Sequence, residues 1–143
     1  MTVAKILSSK GREVATITAN RKIGEAVSEL AERKIGALVV VEGMDRVVGI
    51  ISERDIVRAL GRSGAAMLDD AVATIMTREV VTCSQSETIL KVMGRMTRGR
   101  FRHLPVIEGG RLAGIVSIGD VVKARIEEVE READEMRTYI ATA

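Results

Sequence analysis

The sequence predicts an α/β fold. Two copies of a β-α-β-β-α unit pack with pseudo-twofold symmetry, and a long C-terminal helix runs on from the second copy. Three observations carry this expectation. First, the chain repeats itself. Sliding Val14-Ala15-Thr16 onto Val80-Val81-Thr82, an offset of 66, brings Ile23, Ala26, Val27 and Leu30 onto Ile89, Val92, Met93 and Met96. Leu38-Val39-Val40-Val41-Glu42-Gly43 then falls on Leu104-Pro105-Val106-Ile107-Glu108-Gly109; after a one-residue deletion, Gly49-Ile50-Ile51-Ser52 falls on Gly114-Ile115-Val116-Ser117 and Asp55 on Asp120. Second, the strand-like runs are almost continuously apolar, as in a sheet covered on both faces. Third, Val122, Ile126, Val129, Ala133, Met136 and Ile140 alternate spacings of four and three, an a/d seam along one helix.

Each element has a local reason. A short helical lead-in is expected over 3–7 and again over 72–76, where Val72-Ala73-Thr74-Ile75-Met76 echoes Val3-Ala4-Lys5-Ile6-Leu7. β-like runs at 14–18 and 80–84 open the copies. The next segments place apolar residues at i, i+3, i+4 and i+7, one face of an amphipathic helix. Strands at 37–41 and 47–52 join through Glu42-Gly43-Met44-Asp45, and those at 103–107 and 112–117 through Glu108-Gly109-Gly110, a strong turn signal. Pro105 fits a strand only where its nitrogen needs no ladder partner. A second helix follows each Ser52 or Ser117. Residues 61–66, with two glycines, read as the linker. The chain therefore divides into 1–66, 67–125 and a helical extension at 126–143. One unit alone is too small to bury its core, so the copies should pack together.

Composition narrows the function. Of 143 residues, 46% are hydrophobic, which excludes general disorder. Only 1% are aromatic, so stacking on nucleic-acid bases is nearly excluded. A net charge of +2 gives no global attraction to nucleic acid or membranes. One Cys and one His cannot build a disulfide or a zinc site, and no metal is expected. Cys83, in a β-like run, reads as a buried thiol. No apolar run approaches the roughly 20 residues of a membrane span, and the first residues lack a secretory h-region, so the expected location is cytoplasmic. Arg95, Arg98, Arg100, Arg102 and His103 form a local basic cluster, most of it expected on a solvated helix face.

The repeated Gly-x-x-Ser-x-x-Asp (Gly49, Ser52, Asp55; Gly114, Ser117, Asp120) sits where a strand ends and a helix starts. One reading is helix capping, with Ser as N-cap and an acid three residues on. The other uses the same geometry for a ligand. Free amides and the positive dipole end suit phosphate, and an Asp carboxylate can accept hydrogen bonds from both hydroxyls of a ribose diol.

With these residues, the Arg102-His103-Leu104-Pro105-Val106 string and the element order, all but about the last twenty residues resembles a tandem pair of CBS domains, a Bateman module. The resemblance implies regulation rather than catalysis, with AMP, ATP or NAD bound between the repeats. It places Ser52 and Asp55 on the ribose and phosphate of one site, and Ser117 and Asp120 on those of the other. Ala15, Ile35 and Gly36 from the first copy, and Thr77, Val81, Phe101 and Arg102 from the second, would line base pockets. Arg102 and His103 would reach phosphate. The first copy has Gly36 and Ala37 where the second has Arg102 and His103, so the sites are inequivalent; Arg54 belongs to the same set and is replaced by Gly119 in the second copy. A homodimer through the C-terminal helix and repeat faces is expected, together with an unknown regulated protein. Two rival readings stay open: a structural, dimerising subunit with empty clefts, and a nucleotide-hydrolysing enzyme.

Overall fold

The computed structural model describes residues 1–142, so Ala143, the end of the expected extension, lies outside it. The elements run α1 (Val3–Lys10), β1 (Thr16–Thr18), α2 (Ile23–Arg33), β2 (Ala37–Glu42), β3 (Arg46–Ser52), α3 (Glu53–Ser63), α4 (Ile89–Gly99), β4 (His103–Glu108), β5 (Arg111–Ser117) and α5 (Ile118–Thr142). In the first half β1 pairs parallel with β2, and β2 antiparallel with β3; in the second, β4 pairs antiparallel with β5. Val39 opposite Ile50 and Pro105 opposite Ile115 mark the same register in both halves. The tight turns meet the left-handed region at Gly43 and Asp45 in one half and at Gly109 and Gly110 in the other.

One strand expected from the sequence is absent. The run 80–84 contributes a single bridge, Cys83 to Val106, instead of a counterpart to β1. Pro105 is the reason. In the first half Val39 donates its amide to Ala15 O at 3.2 Å, and the equivalent residue Pro105 has no N–H to give Val81. Side chains take the flanking groups: Arg95 donates to Thr82 O at 2.8 Å, and Glu87 accepts from Ser84 N at 2.7 Å. Arg95 is thereby half-buried and ion-paired to Glu87, unlike the exposed Arg98 and Arg100 of the same basic run.

The lead-ins precede each copy in sequence but pack into the other copy's core. Val3, Ile6 and Leu7 of α1 join Ile89, Leu104 and Val116, while Val72 and Met76 join Ile23, Leu38 and Ile51. The second lead-in forms only a 3-10 turn, Val72–Thr74, where a helical segment was expected. The motif glycines permit this exchange. A Cβ on Gly49 would lie 2.7 Å from Met76 Sδ, and one on Gly114 would lie 2.7 Å from Leu7 Cδ2. Cys83 is buried, and burial first, then Glu87, pushes its thiol up to about 11, so it stays protonated at neutral pH.

α5 is one unbroken helix of 25 residues, of which only Val121, Ala124 and Glu128 are buried on their own domain. Val122, Ile126, Val129, Met136 and Ile140 of the seam are exposed, and Ala133 is half-buried. No helix among the described residues is long and apolar enough to cross a membrane.

Candidate functional site

Both motif sequences build capping boxes. Ser52 Oγ accepts from Asp55 N at 3.3 Å, and Asp55 Oδ2 accepts from Ser52 N at 2.9 Å. Ser117 Oγ accepts from Asp120 N at 3.1 Å, and Asp120 Oδ2 from Ser117 N at 2.8 Å. Capping thus accounts for the residue types and also fixes where each carboxylate points. α3 and α5 begin at the edges of two clefts, each lined by both halves of the chain.

The first cleft, about 410 Å³, brings Ser52, Asp55 and Arg54 from the first copy together with Thr77, Phe101, Arg102 and His103. That volume is in the range of small-ligand sites, roughly 300–1,000 Å³. Thr77 enters because its backbone pairs with Ile50, N to O at 2.9 Å and O to N at 3.0 Å, which sets its hydroxyl 3.4 Å from Asp55 Oδ1. Phe101 reaches the cleft by folding over the end of α4; a Cβ on Gly99 would clash with the edge of its ring. Arg54 donates to Arg100 O at 3.4 Å, across the two halves. Arg58 and Arg100 complete a rim of four arginines against Glu53 and Asp55. Sequence reasoning missed Arg58, one turn beyond Arg54, and left Arg100 on a solvated face.

The second cleft, about 640 Å³, brings Ala15, Ile35 and Gly36 to Ser117, with Lys10, Lys34 and Arg33 as its cations. Val81 lines neither cleft; it packs half-buried against the second core. Asp120, expected here from the repeat, does not line this cleft; it lines a neighbouring pocket of about 210 Å³ beside α1, and Lys10 lines both. Lys10 Nζ approaches Asp120 Oδ2 to 2.7 Å and also donates to Ile115 O at 3.0 Å, which ties the carboxylate down. Burial pushes the Asp120 carboxyl up, but the bonds from Lys10 and Ser117 outweigh it and hold the group below the usual aspartate value. No sequence signal pointed to Lys10.

His103 lines both clefts, and its ring lies against Gly36, where a Cβ would stand 3.3 Å from Cε1. Burial lowers its pKa, Lys10 and Arg102 act in the same direction, and Asp120 and Glu53 oppose without prevailing. The imidazole is therefore neutral at pH 7. Since the unfolded chain binds this proton first, near pH 6.5, the folded state loses stability as pH falls through that value. The melting temperature of the wild type should fall more between about pH 7.5 and 5.5 than that of His103→Gln. Parallel curves would count against a depressed His103. Asp120 acts only at lower pH, below the ordinary aspartate value.

A tandem pair of repeats encloses two clefts at helix N-termini, and each cleft draws on both repeats. Residues 3–62 and 72–127 each match the CBS domain model, and the chain belongs to the CBS domain family. It is 34% identical over 147 residues to the mitochondrial CBS domain-containing protein CBSX3 of Arabidopsis thaliana, covering 97% of this chain and 71% of that protein. It is 50% identical to the crystal structure of the CBS-domain containing protein ATU1752 from Agrobacterium tumefaciens, with a TM-score of 0.85, covering 87% of this chain and 99% of that one. The CBS domain pair of protein MJ0100, solved in complex with 5′-methylthioadenosine and S-adenosyl-L-methionine, is 28% identical with a TM-score of 0.79, covering 90% and 98%.

Proposed function

We propose that this chain is a regulatory module that binds an adenine nucleotide, AMP, ATP or NAD, between its repeats and presents the bound state to a partner protein. The observation that carries the reading is the first cleft. It collects Asp55, whose carboxylate can accept from a diol, and the chain's one Phe in one cleft, with arginines from both copies. The adenosine-type ligands of the MJ0100 domain pair support the same ligand class. Four guanidiniums favour a ligand with several phosphates, which makes ATP the first probe. Because Asp55 and Phe101 come from different repeats, a ligand touching both favours one relative orientation of the halves, a population shift that a partner surface can read.

Thermal unfolding with AMP, ATP and NAD tests this reading. A ligand at 100 times its dissociation constant adds about 2.7 kcal/mol of stability. A shift with none of the three would overturn it in favour of the structural reading, and phosphate release on incubation would point to the enzyme.

The module forms a homodimer through the exposed α5 seam and the repeat faces; Val57 and Leu60 of α3 are also exposed. Five large apolar side chains on one helix seam are costly to leave in water, and a second copy supplies the matching stripe. Removing the residues after Glu128 should convert the dimer to a monomer in light scattering. An unchanged mass would place the interface elsewhere.

A further inference from the structure

We propose that Lys10 closes the second cleft to a ribose diol, so that each chain binds one adenine nucleotide, in the first cleft. The proposal rests on adenine-nucleotide binding as the function. Lys10 reaches this place because α1 packs on the second copy, with Leu7 seated on Gly114. In the lead-in alignment Thr77 falls on Ser8, but Lys10 takes the hydrogen-bond partners that match those of Thr77 in the first cleft. Thr77 gives its backbone amide to Ile50 O and its hydroxyl to Asp55; Lys10 gives its ammonium to Ile115 O, the equivalent carbonyl, and to Asp120, the equivalent carboxylate.

The two arrangements respond differently to an incoming diol. The Ser52 and Thr77 hydroxyls that touch Asp55 re-aim by rotation about one bond, leaving the carboxylate charge free for two sugar hydroxyls. An ammonium held by a carboxylate and a carbonyl has to be moved out, and the neutral diol replaces a charge-assisted bond with weaker ones. Arg33 and Lys34 line the second cleft, but at the positions matched by the repeat it lacks the first cleft's contacts. Ile35 stands where the first cleft has Phe101, Gly36 where it has Arg102, and Gly119 where it has Arg54. Removing the Lys10 charge therefore frees Asp120 and opens the second site.

Calorimetric titration with ATP of wild type, Asp55→Asn, Lys10→Met and Lys10→Met/Asp120→Asn tests this, with circular dichroism checking the fold of each. The expected stoichiometries are one ATP per wild-type chain, binding that is lost or strongly weakened in Asp55→Asn, two in Lys10→Met, and one again in the double variant. Two ATP per wild-type chain, or one in a folded Lys10→Met, would overturn the closing role while leaving nucleotide binding intact. Should Lys10→Met fail to fold, Lys10→Gln takes its place under the same criteria. No binding by any variant would overturn the nucleotide reading and this proposal with it.

Discussion

Asp55→Asn is expected to weaken ATP binding by roughly tenfold to a hundredfold, with little change in the stability of the free protein. Hydrogen bonds to a charged group contribute about 1.5–3 kcal/mol, and the diol loses a charged acceptor. The cap itself survives, because the amide oxygen of Asn can still accept from Ser52 N, the bond that Asp55 Oδ2 makes at 2.9 Å. That separation matters, since Ser52 and Asp55 cap α3 and also face the cleft. Asp55→Ala would remove both roles together and confuse a lost helix terminus with a lost ligand contact. Titration followed by calorimetry, alongside urea unfolding of the free variant, reads the two roles apart. Unchanged affinity with normal folding would reduce the motif to capping alone.

The repeat, the element order and the face each helix buries were legible because apolar spacing reports burial directly. Ile23, Ala26 and Leu30, and Ile89, Val92 and Met96, are all buried in their helices. The missing first strand of the second copy was half legible. Pro105 announced a lost donor, but only the bond from Val39 N to Ala15 O in the first half identified the equivalent Val81 as the acceptor left without it. Nothing in the pattern of the lead-ins said which core they would enter, since Leu7 and Met76 would suit either. Lys10 was illegible for the same reason: its partner Asp120 lies 110 residues away, and the pairing exists only because α1 crosses to the second copy. Of the residues expected to line the base pockets, the clefts collect Ala15, Ile35, Gly36, Thr77, Phe101 and Arg102 and leave Val81 aside. The repeat assigned each residue to a copy; packing decided the cleft.

The exchange of lead-ins makes Leu7→Ala one of the most damaging single changes available. Leu7 is 1% exposed and sits among residues of the second copy, so its truncation leaves a cavity that costs about 2–5 kcal/mol. A domain of this size has only about 5–15 kcal/mol to lose. Gly114→Ala is destabilising for the opposite reason. Its new Cβ would stand 2.7 Å from Leu7 Cδ2 and 3.0 Å from Cδ1, an overpacking worth roughly 1–3 kcal/mol. The two lesions share one volume, so they should not add. With Leu7 shortened to Ala, the methyl at position 114 meets no branched side chain and fills part of the space left behind. Urea unfolding of the single and double variants should give a double variant clearly more stable than the sum of the single losses predicts. If the penalties add within about 0.5 kcal/mol, Leu7 does not rest on Gly114 and α1 packs elsewhere. The same cycle at Met76 and Gly49 probes the other half, where the new Cβ also stands 3.0 Å from Thr77 O. A backbone oxygen yields less readily than a flexible thioether, so Met76→Ala should rescue Gly49→Ala less completely than Leu7→Ala rescues Gly114→Ala. That difference follows from the backbone pairing of Thr77 with Ile50, which also holds its hydroxyl beside Asp55, so residual strain at Gly49 should appear as weakened ATP binding in the first cleft.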